Sequence, residues 1–220
     1  MSDLTNFNIY KENAGMFAGI DVLNPLAGNG SLLMHRNGQA FTKINLARSI
    51  APRAFTSGVA RFYVGGKVQL IQSDQVGFAF QQSQEDLTGG VGSAYLACLV
   101  LGTNGSNSSL QLFRCSAGLG TQTNLGTGTT FNAVLNTPIA VEITWILDIA
   151  QLGGIKLTLK HGTALDFTGL VTDVNIVSTT TVLQTSVAEG PYMKHNLSSS
   201  NGQYLFETAS TDVYPLLIGA

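Results

Sequence analysis

The stretch IAVEITWILDIAQLGGIKLTLK, residues 139 to 160, decides how the rest of the chain is read. Ile139, Val141, Ile143, Trp145, Leu147 and Ile149 are apolar at every second position, with Ala140, Glu142, Thr144, Ile146 and Asp148 between them. A period of two is the mark of a strand with one buried face. After Ala150-Gln151-Leu152-Gly153-Gly154 the alternation resumes as Ile155, Leu157 and Leu159 against Lys156, Thr158 and Lys160. This predicts a hairpin, and pairing Ile149 with Ile155 sets Leu147 against Leu157, Trp145 against Leu159 and Asp148 against Lys156. A slip of one residue would turn the only Trp to water.

The 220 residues are 44% hydrophobic and only 11% charged, against about a quarter charged in an ordinary domain. Surface polarity must then come from Ser, Thr, Asn and Gln, which suit strand faces and turns. Sandwiches of this size often form one unit, and the division expected is an extended N-terminal arm, residues 1–30, followed by a single β-sandwich domain, residues 31–220. A net charge of −2, with no cluster of Lys and Arg, argues against nucleic acid as a partner. No apolar run reaches the roughly 18 residues that a membrane-spanning helix needs, and the first residues lack a secretory layout, so synthesis in a cytoplasm is expected. Cys98 and Cys115 make no disulfide framework. A turn at Asn104-Gly105 is expected to bring their strands together with the two thiols opposite, reduced and buried.

Strands follow one another at short spacing. Asn37-Gly38 between SLLMHR and QAFTKI predicts a hairpin with Met34 facing Phe41. Ala60–Val64, Lys67–Ile71 and Val76–Phe80 read as strands, and Ser93–Leu101 is apolar on both faces, as a strand covered on each side would be. Gly118–Thr130 reads as an exposed polar loop, Gly190-Pro191 as a turn that ends a strand, and Asn201-Gly202 as another tight turn. The arm carries Leu4, Phe7, Ile9, Tyr10, Met16, Phe17, Ile20, Val22 and Leu23 without a clean period. Those side chains need cover, either on their own domain or on a neighbouring subunit.

This order of many short strands, a long Trp-bearing strand, a Gly153-Gly154 turn and an Ile155-x-Leu157-x-Leu159 return resembles the concanavalin-like, laminin-G-like jelly-roll sandwich over roughly residues 36–214. The resemblance implies an all-β, antiparallel β-sandwich. Members bind sugars or calcium, cleave glycans, or serve as structural modules of virions, including bacteriophage capsid decoration and tail proteins. A weakly charged β-protein with an extended arm is most similar to the last group. The implied function is a non-enzymatic structural protein of the virion. It would assemble with copies of itself, as in a trimer, and with a major capsid or tail protein. The alternative is a lectin-like carbohydrate-binding module reading a cell-surface glycan.

The chemistry-bearing residues support no catalytic, cofactor or metal assignment. Glu142 and Asp148 share a strand face but stand six residues apart, roughly 20 Å at about 3.3 Å per residue, whereas glycoside hydrolysis needs about 5 to 9.5 Å. Glu85, Asp86 and Asp173 are the nearest to a calcium set, without a compact Asp-x-Asp-x-Asp run. His35, His161 and His195 lack metal-ligand spacing. Gly126-Thr127-Gly128 lacks the third glycine of a phosphate loop. Asn29, Asn104, Asn107 and Asn196 begin glycosylation-acceptor triplets, as chance supplies in a chain rich in Asn and Ser. Tyr192 and Tyr204 are the aromatics that could stack on a sugar, against the plainer reading of core packing.

Overall fold

The computed structural model describes residues 7–12, 16–21, 23, 26–27, 31–36, 42–53, 57–148, 154–178, 186–196 and 202–214. Its strands, in chain order, are β1 Asn8–Lys11, β2 Met16–Asp21, β3 Ser31–Arg36, β4 Thr42–Arg53, β5 Ser57–Gly66, β6 Gln75–Gln82 and β7 Ala94–Val100. They continue as β8 Ser109–Ala117, β9 Thr121–Thr127, β10 Ile139–Asp148, β11 Gly154–Gly162, β12 Val171–Ser178, β13 Ser186–His195 and β14 Gln203–Tyr214. Two antiparallel seven-stranded sheets result: the first ordered β1-β4-β13-β6-β7-β8-β9, the second β12-β11-β10-β5-β14-β3-β2. They pack face to face, and the expected all-β antiparallel sandwich is what the chain forms.

The 139–160 hairpin is β10 and β11, and its buried face is the expected one. Its register differs by two residues: Trp145 lies opposite Leu157, Leu147 opposite Ile155 and Asp148 opposite Gly154. An even slip keeps every side chain on its predicted face. The observed register sets Glu142 opposite Lys160 and, on the other flank, opposite Arg61 of β5. Glu142 Oε1 accepts from Lys160 Nζ at 3.0 Å and Oε2 from Arg61 Nε at 2.8 Å. Its burial, which leaves it 7% exposed, would raise its pKa, but those two cations outweigh burial and hold the carboxyl below its ordinary value. Glu142 is thus an ion-paired strand residue.

Between the sheets Phe62 stacks on Phe206 at 5.2 Å and tilts on Phe78 at 5.8 Å, while Trp145 stacks on Phe80 at 4.7 Å. β7 is covered on both sides, as its composition predicts. Tyr95, Ala97 and Leu99 face the main core, and Ala94, Leu96 and Cys98 face a second cluster on the outside of the first sheet.

Several local readings are corrected by the sheet plan. β3 pairs with β14 and β2, whereas β4 pairs with β1 and β13. The two strands flanking Asn37-Gly38 therefore belong to different sheets, and the chain crosses between layers there instead of making a hairpin; residues 37–41 themselves lie outside the described residues. Gly190-Pro191 does not end a strand: β13 runs through it. A Cβ on Gly190 would stand 1.8 Å from the Leu46 carbonyl oxygen, so glycine lets β4 come close, and the register shift between Ala188 and Gly190 accommodates a proline with no N–H to give. Thr121–Thr127 is an edge strand, β9, lying against β12, where an exposed loop is expected. Residues 67–71, expected as a strand, bend at Lys67 and Val68 and run irregularly into a turn at Gln72-Ser73, closed by Asp74 N donating to Ile71 O at 3.1 Å. Asn201 lies outside the described residues.

The described parts of residues 1–30 are strands of this chain's own sheets. Asn8–Lys11 pairs with β4, and Met16–Asp21 pairs with β3. Leu26 lies against Tyr63, Ala140 and Leu205 on the outside of the second sheet. Met16 is buried and Phe7 packs against the core, so part of the arm's cover is intramolecular, while Ile9, Phe17 and Leu23 stay exposed at 38%, 46% and 86%. Short edge strands, half exposed, explain the unclear period.

The β7–β8 turn is centred on Asn104-Gly105, with φ of 52° and 84°. That centre places Gln111, not Cys115, opposite Cys98, and Ala94 opposite Cys115. The thiols are offset by four residues along neighbouring strands, roughly 13 Å at about 3.3 Å each, beyond the ~7 Å Cα separation a disulfide tolerates. Both are free and fully buried, and burial pushes each thiol up to about 12. A thiol reagent such as dithionitrobenzoate should label neither cysteine in the native protein and both in denaturant. Rapid labelling without denaturant would show that the cover over the first sheet opens freely.

Candidate functional site

The outer face of the first sheet carries a roof. Ser83 N donates to Ser93 O at 2.9 Å, closing the 83–93 loop, and Leu87 descends from it into the cluster of Ala79, Leu96, Cys98, Phe113, Cys115, Leu119 and Tyr192. The β8–β9 turn is stitched to the loop: Gly118 N donates to Gly92 O at 2.7 Å and Leu119 N to Leu87 O at 2.8 Å. Gly118 has φ 64°, and a Cβ there would meet Leu87 O at 2.6 Å, so this turn needs glycine on both conformational and packing grounds. Glu85 anchors the loop to the sheet edge by accepting from Asn8 Nδ2 at 2.8 Å and the Tyr10 hydroxyl at 2.6 Å, and its carbonyl accepts from Asn45 Nδ2 at 2.6 Å. That carboxylate, with burial, pushes the Tyr10 phenol up to about 12. Asp86 Oδ1 accepts from Thr88 N at 2.8 Å and Thr88 Oγ1 at 2.7 Å, which fixes the descending limb.

Between this roof and the β1–β4 edge is an open cleft of about 490 Å³ lined by Lys11, Glu12, Lys43, Thr88, Gly89 and Gly90. Glu12 N donates to Lys43 O at 3.0 Å, and Lys43 Nζ donates to Glu12 Oε1 at 2.8 Å. The Lys43 side chain is only 16% exposed. Register places Lys194 of β13 directly beside Lys43, with Gln75 of β6 on its other flank. Gln75 and Gln122 exchange amide hydrogen bonds at 2.9 and 3.0 Å, and Lys194 Nζ reaches Gln122 Oε1 at 3.5 Å. Burial, and then the Lys43 ammonium, pull Lys194 below the ordinary lysine value. The cleft itself thus gathers ammonium donors, a carboxylate, a hydroxyl and backbone groups, the pattern of a site that reads a polar ligand. A second cavity, about 440 Å³ and lined mostly by Val68, Leu70, Ala133, Val134 and Leu135 at one end of the sandwich, offers few polar groups.

The residues singled out from sequence lie elsewhere, apart from the roof pair Glu85 and Asp86. Tyr192 and Tyr204 are each 0% exposed and cannot stack on a sugar. Tyr204 OH donates to Asp74 Oδ2 at 2.6 Å, and His195 Nδ1 lies 2.5 Å from the same oxygen, in a buried network that also takes Asn196 N on Oδ1 at 3.0 Å. His161 meets Asp173 at 2.5 Å across β11 and β12 and stacks on Phe131 at 4.7 Å. Asp173 therefore belongs to the second sheet, apart from Glu85 and Asp86 over the first, and the three do not form a calcium set. Among the described residues no three His, Cys, Asp or Glu side chains group as metal ligands. Gly126 and Gly128 make room for Val174 and Asp173. The side chains of His35 and Asp148 lie outside the described residues. The cleft itself was missed because Lys11 and Glu12, Lys43, and Thr88–Gly90 come from three distant segments; the cue in the text was the like charge of Lys11 and Lys43 on strands that turn out to be neighbours.

No protein-family model matches the chain, and no curated protein matches its sequence. Solved structures do resemble it. The carbohydrate recognition domain of Emp46p, potassium-bound, is 10% identical with a TM-score of 0.57, covering 96% of this chain and 89% of that one. The exoplasmic/lumenal domain of VIP36, in a Ca²⁺/Man-bound form, is 8% identical with a TM-score of 0.57, covering 93% of this chain and 84% of that one. A GH43 glycoside hydrolase is 11% identical with a TM-score of 0.53, but the match spans 90% of this chain and only 36% of that one. The likeness establishes the lectin-like sandwich fold. It also corrects the expected structural role in a bacteriophage virion: the similar structures include carbohydrate recognition domains and a mannose-bound exoplasmic/lumenal domain, and none of those named here is a capsid or tail component.

Proposed function

We propose that this chain is a carbohydrate-binding module, a lectin-like binder rather than a catalyst, whose ligand enters the cleft between the β1–β4 edge and Thr88–Gly90. The observation that carries this is the cleft itself: within about 490 Å³ it gathers Lys11, Glu12, Lys43 and Thr88 under two bare glycines. Sugar hydroxyls both donate and accept, so a carboxylate, ammonium groups and exposed backbone at one site match them, while the glycines let a ring approach the main chain. The fold shared with carbohydrate-recognition domains supports the reading.

A block of the cleft provides the test. A Cβ on Gly89 would find only Asp86 Oδ2, at 3.8 Å, so Gly89→Trp fits the fold while its indole fills the opening. On a glycan array and in calorimetry, the wild type should retain saccharide and Gly89→Trp should lose at least roughly tenfold in affinity, with an unchanged melting temperature. Retention of no saccharide by the wild type, or equal binding by the variant, would refute the assignment.

A further inference from the structure

The two walls of the cleft are fastened to the body of the protein in different ways. Thr88–Gly90 belong to a loop closed at its base by Ser83 and Ser93 and stitched to the β8–β9 turn through Gly92 and Leu87. The opposite lip, Lys11 and Glu12, is the end and continuation of β1, a four-residue strand at the edge of the first sheet that pairs with β4. A short edge strand, paired on one side, is easily displaced. Glu85 spans the two walls: its Oε2 accepts from Asn8 Nδ2 at 2.8 Å and from the Tyr10 hydroxyl at 2.6 Å, so two side chains of β1 converge on one oxygen of the loop. The Glu85 main chain is held in turn, its carbonyl accepting from Asn45 Nδ2 of β4 at 2.6 Å. Asn8, Tyr10 and Glu85 do not line the cleft. They stand beside it, since Tyr10 directly precedes Lys11 in one wall and Glu85 comes three residues before Thr88 in the other.

We propose, resting on the carbohydrate reading above, that Glu85 is the positioning residue of this cleft, a clasp between loop and edge strand that sets the distance from Lys11 and Glu12 to Thr88–Gly90. A ligand that bonds to both walls needs them held to within about 0.5 Å. Hydrogen bonds to a carboxylate are the strong kind, and two of them, from side chains two residues apart on β1, fix the strand's orientation as well as its separation from the loop. Glu85 acts through Tyr10 on the adjoining lip and touches no ligand itself. Without the clasp β1 keeps its ladder to β4 and the Lys43–Glu12 ion pair, so the fold survives while the lip can shift.

The test compares the full wild-type chain with Glu85→Ala, Glu85→Gln, Tyr10→Phe and the double variant Glu85→Ala/Tyr10→Phe, by calorimetry with manno-, gluco- and galacto-oligosaccharides and by amide hydrogen exchange. Glu85→Ala should weaken the bound saccharide roughly tenfold, and Tyr10→Phe by a smaller factor. The double variant should bind no worse than Glu85→Ala, because both changes remove the same clasp. Glu85→Gln keeps an acceptor oxygen at the same reach and should recover much of the loss, which a general loosening of the fold would not allow. Exchange at residues 9–12 should quicken in Glu85→Ala, with none in β10 and β11. Unchanged affinity, additive losses or unchanged exchange at residues 9–12 overturns the clasp and leaves the carbohydrate reading intact. A wild type that binds no saccharide overturns both. Should Glu85→Ala fail to fold, Tyr10→Phe decides, since it deletes one hydroxyl, and binding equal to the wild type then overturns the clasp.

Discussion

Replacing Trp145 by alanine should cost roughly 3 to 5 kcal/mol, the usual range for truncating a buried aromatic. Trp145 is 1% exposed and stacks on Phe80 at 4.7 Å, which in turn stacks on Tyr95 at 5.7 Å. The indole joins β10 of the second sheet to β6 and β7 of the first, so its removal leaves a void spanning both layers. Its Nε1 has no hydrogen-bond partner among the described residues. Trp145→Phe should accordingly cost much less than the alanine variant, because the aromatic volume is largely kept and no hydrogen bond is lost. Urea denaturation followed by circular dichroism measures both, and the single Trp of the wild type should emit well to the blue of free indole. A loss below about 1.5 kcal/mol for Trp145→Ala would place that side chain outside a tightly packed core.

Asp74→Ala should be comparably severe, roughly 3 to 5 kcal/mol, as for removing one partner from a buried polar pair. Asp74, His195 and Tyr204 are all essentially unexposed. The Asp74 carboxylate receives Tyr204 OH at 2.6 Å, Asn196 N at 3.0 Å and His195 Nδ1 at 2.5 Å, while Ile71 N donates to the Tyr204 hydroxyl at 3.2 Å. Alanine strands the Tyr204 hydroxyl, the Asn196 N–H and His195 Nδ1 at once, each of which costs about 1 to 3 kcal/mol when left unsatisfied. The network ties the turn before β6 to the end of β13 and the start of β14, so amide exchange should quicken at all three places. Tyr204→Phe removes a single hydroxyl and should cost only about a third as much. If Asp74→Ala and Tyr204→Phe prove equally mild, the carboxylate does not hold the three segments together.

What the text could reveal is set by range. Alternation at Ile139–Lys160 is a property of neighbouring residues, and it assigned the described side chains of β10 and β11 to the correct face even though the register slid by two. Two-sided apolarity at Ser93–Leu101 gave a strand covered on both sides, and Leu87 with Leu119 supplies the second cover. Asn104-Gly105 made its hairpin, whereas Asn37-Gly38 did not: the same dipeptide favours the same local turn, but whether its flanking strands pair depends on β13 and β14, more than 140 residues later. Gly190-Pro191 read as a turn because its cost in a strand is local, while its compensation, the close approach of β4 at Leu46, is not.

By itself, then, the sequence determined the class of the protein: short alternating strands, few charges and a core rich enough for a sandwich, all of which follow from composition and period. Tertiary structure alone decided which strands are neighbours, and with that the cleft, since Lys11, Glu12, Lys43 and Thr88–Gly90 meet only after β1 and β4 have paired and the 83–93 loop has folded beside them. The physical reason is that a strand's side-chain period is written in adjacent residues, whereas the lateral order of strands is settled by which faces bury the most apolar surface together, a sum over the whole chain that no short spacing records.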